Sequence, residues 1–270
     1  MGDPFYTNIL SRLTIHDEIE VDEYRNGLRV HFPGESPGEA PESVERASQA
    51  QSAKSRHRCA FTLGNAETDW LAMMTLTYRI NPEDYETVKR HRTRTLESAR
   101  KKWGKFDYAW FLEFTKKGTA HYHVFLGSGG MLGKLIKEEE TETVTRKGKK
   151  TKILRGEVDA SFSRWWINQV GDDDPGFRAF QEGGIIELVR HPDAAGRYAA
   201  KEAGKRVQKS APWPVRQWWY QSPHLAPSIR KKRIVTVKEY LKAFPDGKMH
   251  SRTYDKELLK KAGFTDESIK

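Results

Sequence analysis

Two histidines and a glutamate within residues 108–127 could hold a metal ion. His121 and His123 are two residues apart, and the run Ala120–Gly127 alternates as a β-strand does, so both imidazoles point to one face. Glu113 precedes His121 by eight residues, across a short Lys-Lys-Gly turn. If the two runs pair as a hairpin, the carboxylate joins the imidazoles and leaves metal positions open for a substrate. Taken alone, this segment is equally compatible with strand histidines that bond only to neighbouring groups.

A second candidate group lies on a predicted helix that starts at His191-Pro192-Asp193 and runs to about Gln208. Tyr198, Lys201 and Glu202 are spaced i, i+3 and i+4, so they share one face of that helix. A helical tyrosine is commonly a core or surface residue. This one has a lysine and a glutamate beside it and no apolar stripe of its own, which favours a chemical role.

The surrounding sequence predicts the elements that position these residues. Trp70–Arg79 is predicted to form a buried strand, and Gly184–Arg190 a further strand. Between them, a helix is predicted to start with Asn81 as its N-cap and to end near Trp103. A polar hairpin follows at Lys137–Arg155, and then a helix at Asp159–Val170 whose aromatic stripe is typical of a core.

The charge of the chain indicates an acidic partner. The 270 residues carry a net charge of +10 with a pI near 9.5, and mean hydropathy is −0.79 with 37% hydrophobic residues. Residues 1–50 contain ten acids and four bases, a net charge of −6, so the remaining residues carry +16. The partner is therefore predicted to be a nucleic acid bound downstream of residue 50.

Basic residues cluster in two places with two possible roles each. The helix after Asn81 is strongly basic. Its basic residues form either a solvated face or a face that contacts phosphates. Residues 201–238 hold ten bases and one acid with interleaved aromatics, which suits single-stranded nucleic acid. A C-terminal cap that packs its tryptophans inward is the alternative interpretation, and both can be true. The predicted DNA-binding residues are Arg90, Arg94, Lys205, Arg206, Arg216, Trp218 and Trp219.

Other features bound the class and the organisation of the protein. Cys59 is the one cysteine, and the sequence contains neither a membrane-spanning run nor a signal-peptide pattern, which predicts a soluble cytoplasmic protein. The glycine-rich run Gly127–Lys134 lacks the phosphate-loop spacing, so no ATP site is predicted. The predicted division is an acidic extension and linker at 1–55, a main domain at 56–245 and a tail at 246–270.

Three motifs together resemble the HUH endonucleases, and specifically the single-tyrosine rolling-circle replication initiators of phages, plasmids and small circular DNA viruses. A Leu-Thr-Leu-Thr-Tyr type strand stands at Met74–Tyr78. The His-hydrophobe-His motif is His121-Tyr122-His123, and the Tyr-x-x-Lys motif is Tyr198-Ala199-Ala200-Lys201. The order and spacing of the motifs carry the resemblance, which covers roughly residues 70–210.

The resemblance implies a fold and a set of roles. The fold would be α+β, with a central antiparallel sheet of about five strands and flanking helices, similar to the RNA-recognition-motif topology. His121, His123 and Glu113 would bind Mg²⁺ or Mn²⁺. Tyr198 would be the nucleophile with Lys201 beside it, and Glu202 would approach the metal as an acid does in related viral proteins.

The implied activity is nicking and joining of single-stranded DNA through a 5′-phosphotyrosine, at the start and end of rolling-circle replication. The DNA would be an origin, expected as a hairpin, in a bacterial or archaeal host whose helicase and polymerase act separately. A plasmid relaxase or single-strand transposase would use the same chemistry, but relaxases usually cluster three histidines, whereas the third ligand here is Glu113. A non-catalytic nucleic-acid-binding domain with a decayed site is the remaining alternative.

Overall fold

The fold combines antiparallel sheets with helices. A computed structural model of the chain describes residues 18–25, 28–31, 50–115, 117–146, 148–191, 193–203, 211–236 and 238–239. Within these residues there are six α-helices and two antiparallel sheets. The predicted α+β class is therefore confirmed, with seven strands in the central sheet instead of about five.

The elements follow one another along the chain as strands and helices in a mixed order. The strands are β1 (Glu18–Glu23), β2 (Leu28–His31), β3 (Trp70–Thr77), β4 (Tyr108–Phe114), β5 (Ala120–Gly127), β6 (Thr141–Arg146), β7 (Lys149–Leu154), β8 (Ile186–Leu188), β9 (Trp219–Gln221) and β10 (Lys231–Thr236). The helices are α1 (Ala53–Gly64), α2 (Tyr85–Trp103), α3 (Gly130–Glu138), α4 (Glu157–Val170), α5 (Pro175–Glu182) and α6 (Ala194–Ala203).

The central sheet has the order β6-β7-β8-β3-β5-β4-β9, and a small sheet has the order β10-β1-β2. The predicted strand at Ala120–Gly127 has the bounds of β5, and the predicted hairpin partner is β4. Since β5 lies between β3 and β4, the strand that carries both histidines is in the interior of the sheet. Its backbone position is fixed from both sides, which suits a strand that must hold ligands.

The two faces of the central sheet are covered by different helices. The larger core lies under α2, α3 and α4 and contains Trp110, Tyr122 and Trp166, all almost fully buried. The smaller core lies under α1 and α6 and contains Leu63 and Phe125. Residues along β3 alternate between these faces in their burial, so the strand presents one side to each layer.

The start of α2 differs from the sequence prediction. Asp84, and not Asn81, is the N-cap, and its carboxylate accepts a hydrogen bond of 2.7 Å from the Thr87 N–H. The Asn81 side chain instead donates to the Gly118 carbonyl and accepts from the Ala120 N–H, both at 2.7 Å. Both residue types satisfy backbone groups well, and here the asparagine ties the β4–β5 turn to the end of β3.

The N-terminal part of the chain contributes to folded structure. β1 pairs with β10, close to the other end of the sequence, and with β2. Tyr24 packs edge-on against Phe61 of α1 with ring centroids 5.0 Å apart, which connects the small sheet to that helix. The division of the chain at residue 55 stays a prediction, and residues 1–17, 32–49 and 240–270 lie outside the described residues.

The lengths and compositions of the helices also bear on the membrane prediction. Among the helices that the structure describes, none combines the length and the hydrophobicity that crossing a membrane requires.

Candidate metal and nucleophile site

The register of β3, β4 and β5 brings the three predicted ligands together. Glu113 on β4 stands directly opposite His121 on β5. On the other side of β5, Thr77 stands opposite His121 and Thr75 opposite His123. Directly opposed residues of antiparallel strands share a face, so all these side chains lie on the face that α1 and α6 cover.

The distances between the three side chains suit a metal ion. The Glu113 Oε2 atom lies 3.7 Å from His121 Nε2 and 3.8 Å from His123 Nε2. One nitrogen or oxygen from each residue lies within 4.8 Å of the others. Two ligands of one ion, each about 2.0–2.2 Å from it, are at most about 4.4 Å apart, so both nitrogen–oxygen pairs fall in the usable range. These residues therefore fit a divalent ion with two nitrogen ligands and one oxygen ligand.

The ligand side chains are partly shielded from solvent. Exposure of the side chains is 13% for His121, 12% for His123 and 19% for Glu113. A site of this kind remains reachable by a substrate while its walls limit screening of charge. The partial burial also restricts the rotamers, which keeps the three groups close to their ligating positions.

Thr75 was missing from the sequence-based set of site residues. Its Oγ1 atom lies 3.3 Å from His123 Nδ1 on the neighbouring strand. When the Nδ1–H group donates to this hydroxyl, Nε2 keeps its lone pair for a metal, since neutral imidazole has one N–H and one lone pair. The sequence placed Thr75 in a recognised strand motif, but its partner depends on the β3–β5 register, which the sequence does not reveal.

The structure brings Tyr198 to the ligands. Its ring centroid lies 4.9 Å from that of His123, and the rings of Phe111 and Phe125 flank it at 5.8 Å each. Tyr198 is half-buried on α6, and the Lys201 ammonium lies 6.0 Å from the centre of its ring. Two residues predicted from separate motifs, about 75 positions apart in sequence, thus meet on one face of the sheet.

A contact between glycines sets the position of the tyrosine helix. A Cβ atom added at Gly196 of α6 would lie 2.6 Å from the Gly64 nitrogen at the end of α1, far inside normal contact. The two helices can therefore approach this closely because residue 196 lacks a side chain. Tyr198 follows Gly196 by two residues, so this contact determines how deeply the tyrosine sits over the sheet.

The two tyrosines of the motif strands, Tyr78 and Tyr122, are core residues. Burial raises the pKa of Tyr122, between the two histidines in sequence, and also that of Tyr78 at the end of the β3 motif. Both belong to the larger core, on the face away from the ligands. A buried phenol with a raised pKa is a poor nucleophile, so neither tyrosine is a candidate for that role.

The predicted DNA-binding residues are divided between the two faces of the sheet. Trp219 lies on the site face, where its indole N–H donates to Ser55 Oγ of α1 at 3.3 Å. Trp218 packs on the opposite side, against Phe114, with ring centroids 6.1 Å apart. Arg216 is exposed in the segment that leads to them.

Two further arginines lie behind the site. Arg90 and Arg94 are exposed on α2, which covers the face opposite the metal ligands, so the structure does not bring them to the site. Lys205, Arg206 and the side chain of Glu202 lie outside the described residues. The DNA-contacting roles of all these residues, like that of Trp219, stay predictions.

Helix α1 is the largest part of the site that the sequence did not predict. A linker was expected up to residue 55, whereas the helix starts at Ala53 with Ser52 as its N-cap. Its contribution is steric, since it carries Gly64 and the serine that holds Trp219. Serine before the helix is a recognisable capping signal, but the surrounding Ser-Ala-Gln composition conceals it.

Comparison with known protein families agrees with this geometry. A family model described as "Replication-associated protein ORF2/G2P" matches residues 71–174, which include all three candidate ligands and end before the tyrosine helix. Neither the curated proteins nor the solved structures contain a significant match. The match covers less than half of the chain and supports a role as a replication initiator.

Proposed function

We propose that this protein is a metal-dependent nicking and joining enzyme of the HUH type, specific for single-stranded DNA, that starts and ends rolling-circle replication with Tyr198 as its single nucleophile. The observation that carries the proposal is the 4.9 Å separation between the rings of Tyr198 and His123. It brings a tyrosine to a cluster that combines two imidazoles and a carboxylate. The family match to replication-associated proteins supports the biological setting.

His121, His123 and Glu113 would hold the ion, proposed to be Mg²⁺ or Mn²⁺. Mixed nitrogen and oxygen ligands suit Mn²⁺, while the carboxylate also suits Mg²⁺. When bound, the ion would offer open positions to the scissile phosphate and offset the charge that develops on its non-bridging oxygens. Thr75 would keep the His123 ring oriented for this purpose.

The residues of the chain would carry out a balanced transesterification. The Tyr198 phenol gives up its proton to solvent and its oxygen forms a bond to phosphorus. The bond from phosphorus to the 3′-oxygen breaks, and that oxygen takes up a proton from solvent to become a free 3′-OH. A phenol has a pKa of about 10 and needs a nearby cation to stabilise its anion. Lys201 supplies a positive charge close to the ring.

The covalent product explains why the rejoining reaction needs no ATP. A 5′-phosphotyrosine retains the energy of the phosphodiester, so attack by a 3′-OH can rejoin the strand without ATP. The same residues then serve the reverse reaction, with the phenolate as leaving group.

The test is covalent capture of DNA. The protein is incubated with a library of fluorescent single-stranded oligonucleotides and Mn²⁺, the SDS-resistant adduct is isolated, and the attached ends are sequenced. Tyr198→Phe is expected to form no adduct but to bind the same DNA, because only the nucleophilic oxygen is lost. Tyr220→Phe, on the other face of the sheet, is the matched control and is expected to react normally. An adduct from Tyr198→Phe would disprove the assignment of the nucleophile.

A further inference from the structure

The β6–β7 hairpin has a composition that folding alone does not explain. Its register runs from Thr141 opposite Leu154 to Arg146 opposite Lys149, so two six-residue strands form one continuous ribbon. Leu154 and Ile153, at the base, are fully buried. Beyond them the described positions are exposed or half-exposed on both faces. We call residues 141–154 the β6–β7 ribbon.

The ribbon extends beyond the sheet to which it is attached. β7 joins β8 at a single paired position, Ile153 opposite Glu187. Further out, Arg190 donates a 2.7 Å hydrogen bond to the Lys150 carbonyl. A two-stranded ribbon without an apolar face gains little from burial and is at best marginally stable in water. Contact with a partner would therefore stabilise this ribbon.

The charges of the ribbon define the chemistry of that partner. Residues 141–154 hold five bases and one acid, a net charge of +4. By register, Thr143 stands opposite Lys152 and Thr145 opposite Lys150, so one face presents two hydroxyls beside two ammonium groups. Hydroxyl and ammonium groups are the donors that contact DNA phosphates and base edges. This face also carries Leu154 of the larger core, so it lies on the same side of the sheet as α2.

Protection of a sheet edge does not account for these charges. Lysines are often placed on edge strands to block pairing with other chains, and β6 is the edge strand here. However, Lys149, Lys150 and Lys152 are all on β7, the inner strand. The arrangement thus favours a ligand that contacts the ribbon from its face and tip.

We propose that the β6–β7 ribbon binds duplex DNA in the major groove, beside the single-stranded segment that reaches the metal site. A two-stranded ribbon fits a groove about 12 Å wide and about 8.5 Å deep, and its strands are about 20 Å long. The identity of the partner as DNA rests on the proposed function. The ribbon would hold the double-stranded part of the origin while the opposite face of the sheet handles the single strand.

The register gives an approximate distance between the two DNA contacts. Ile153 of β7 pairs with β8 at the position that also pairs with Met73 of β3, so these two residues are at the same height in the sheet. Thr75, which stands opposite His123, is two residues further along β3. Lys149 is four residues from Ile153 in the opposite direction along β7. Six residues at about 3.3 Å and three strand spacings of about 4.8 Å place the lysine about 25 Å from the histidine. A straight duplex of that length has about 7 base pairs.

The first experiment measures affinity without nicking chemistry. Fluorescence anisotropy in EDTA compares a 30-base-pair duplex of mixed sequence with one of its single strands, for the wild type and for a variant with Lys149→Ala, Lys150→Ala and Lys152→Ala. The variant is expected to bind the duplex at least about tenfold more weakly at 0.1 M salt, with the slope of log K against log salt reduced by about 2–3. Its affinity for the single strand is expected to change by less than about threefold, since the ribbon would contact mainly the duplex.

A matched control separates a specific contact from loss of charge. Lys134, Lys137 and Lys238 are exposed and lie outside the ribbon, so their replacement by alanine removes the same charge. If this variant loses as much duplex affinity, or if the ribbon variant loses equal affinity for both DNA forms, the proposal is overturned. Unchanged duplex binding by the ribbon variant would overturn it as well. A second ribbon variant with three Lys→Gln changes, checked by circular dichroism, covers the case in which the alanine variant does not fold.

Nicking of a short single-stranded oligonucleotide with Mn²⁺ is measured in parallel. The ribbon variant is expected to retain this activity, because its changes lie far from the ligands. If neither the wild type nor any variant forms an adduct, the proposed function fails. The anisotropy measurement still decides separately whether the ribbon binds duplex DNA.

Discussion

Replacement of Gly196 by alanine tests whether the contact between α1 and α6 positions the nucleophile. The new Cβ atom would overlap the Gly64 Cα atom, its nearest neighbour, and would lie 2.6 Å from the Gly64 nitrogen. An ordinary contact of about 3.5 Å therefore requires a shift of at least about 1 Å between the helices. Misplacement by about 1 Å can lower a rate about 100-fold. We therefore expect single-turnover adduct formation by Gly196→Ala to fall about 100-fold, while Mn²⁺ affinity stays normal because the three ligands are on the sheet.

Stability must be followed in the same variant to exclude unfolding as the cause. Overpacking costs about 1–3 kcal/mol, and the higher helix propensity of alanine offsets about 1 kcal/mol of this. Denaturant unfolding should thus show a loss of about 0–2 kcal/mol, too little to unfold the protein. Gly176→Ala in α5 is the control, since its Cβ would approach only the Asp174 Oδ1 atom, at 3.3 Å. Adduct formation at the wild-type rate by Gly196→Ala would refute the argument.

Two further substitutions test other contacts that the structure revealed. Thr75→Val removes the hydroxyl that lies 3.3 Å from His123 Nδ1, and we expect the Mn²⁺ concentration needed for half-maximal adduct formation to rise about 10- to 100-fold, with recovery in Thr75→Ser. Asp159 is buried and accepts hydrogen bonds of 3.0 and 2.9 Å from two backbone N–H groups at the start of β8. Asp159→Ala should therefore lower the free energy of unfolding by about 2–4 kcal/mol in denaturant titrations, and a loss as large in Asp159→Asn, which keeps an acceptor, would contradict this reason.

The local periodicity of the sequence was sufficient to predict the strands that carry the ligands. Alternation of side chains located β5 with its correct bounds and β3 to within two residues at its end. The spacing of His121 and His123 then required a common face, because strand geometry leaves no other outcome. The lysine and glutamate neighbours of Tyr198 on a helix made it a candidate site residue, and that role stays a prediction. Its distance from the histidines could not be predicted from the sequence.

Contacts between distant segments were beyond reach of the sequence. The hydrogen bond of Thr75 depends on a strand register set by the packing of two cores, and the approach of Gly64 to Gly196 joins residues over 130 positions apart. Asn81 illustrates the same limit on a smaller scale. Its residue type and position are those of a helix cap, yet its side chain forms hydrogen bonds with two backbone groups at the β4–β5 turn. Local preference yields where tertiary contacts satisfy the same groups better.

Part of the positive charge of the C-terminal segment is paired with acidic residues in the small sheet. Residues 201–238 have ten bases and one acid, a composition that suits binding to single-stranded nucleic acid. In the structure, Lys232 of β10 lies 2.9 Å from a carboxylate oxygen of Glu20, and Arg233 is paired with Glu23. Opposite charges at this distance largely cancel each other for a ligand further away, because the field of a pair falls off faster than that of a single charge. The acidic N-terminal strand thus offsets the basicity of β10, whereas the β6–β7 ribbon keeps most of its charge available. DNA affinity is therefore expected to respond more to lysine changes on the ribbon than to those on β10.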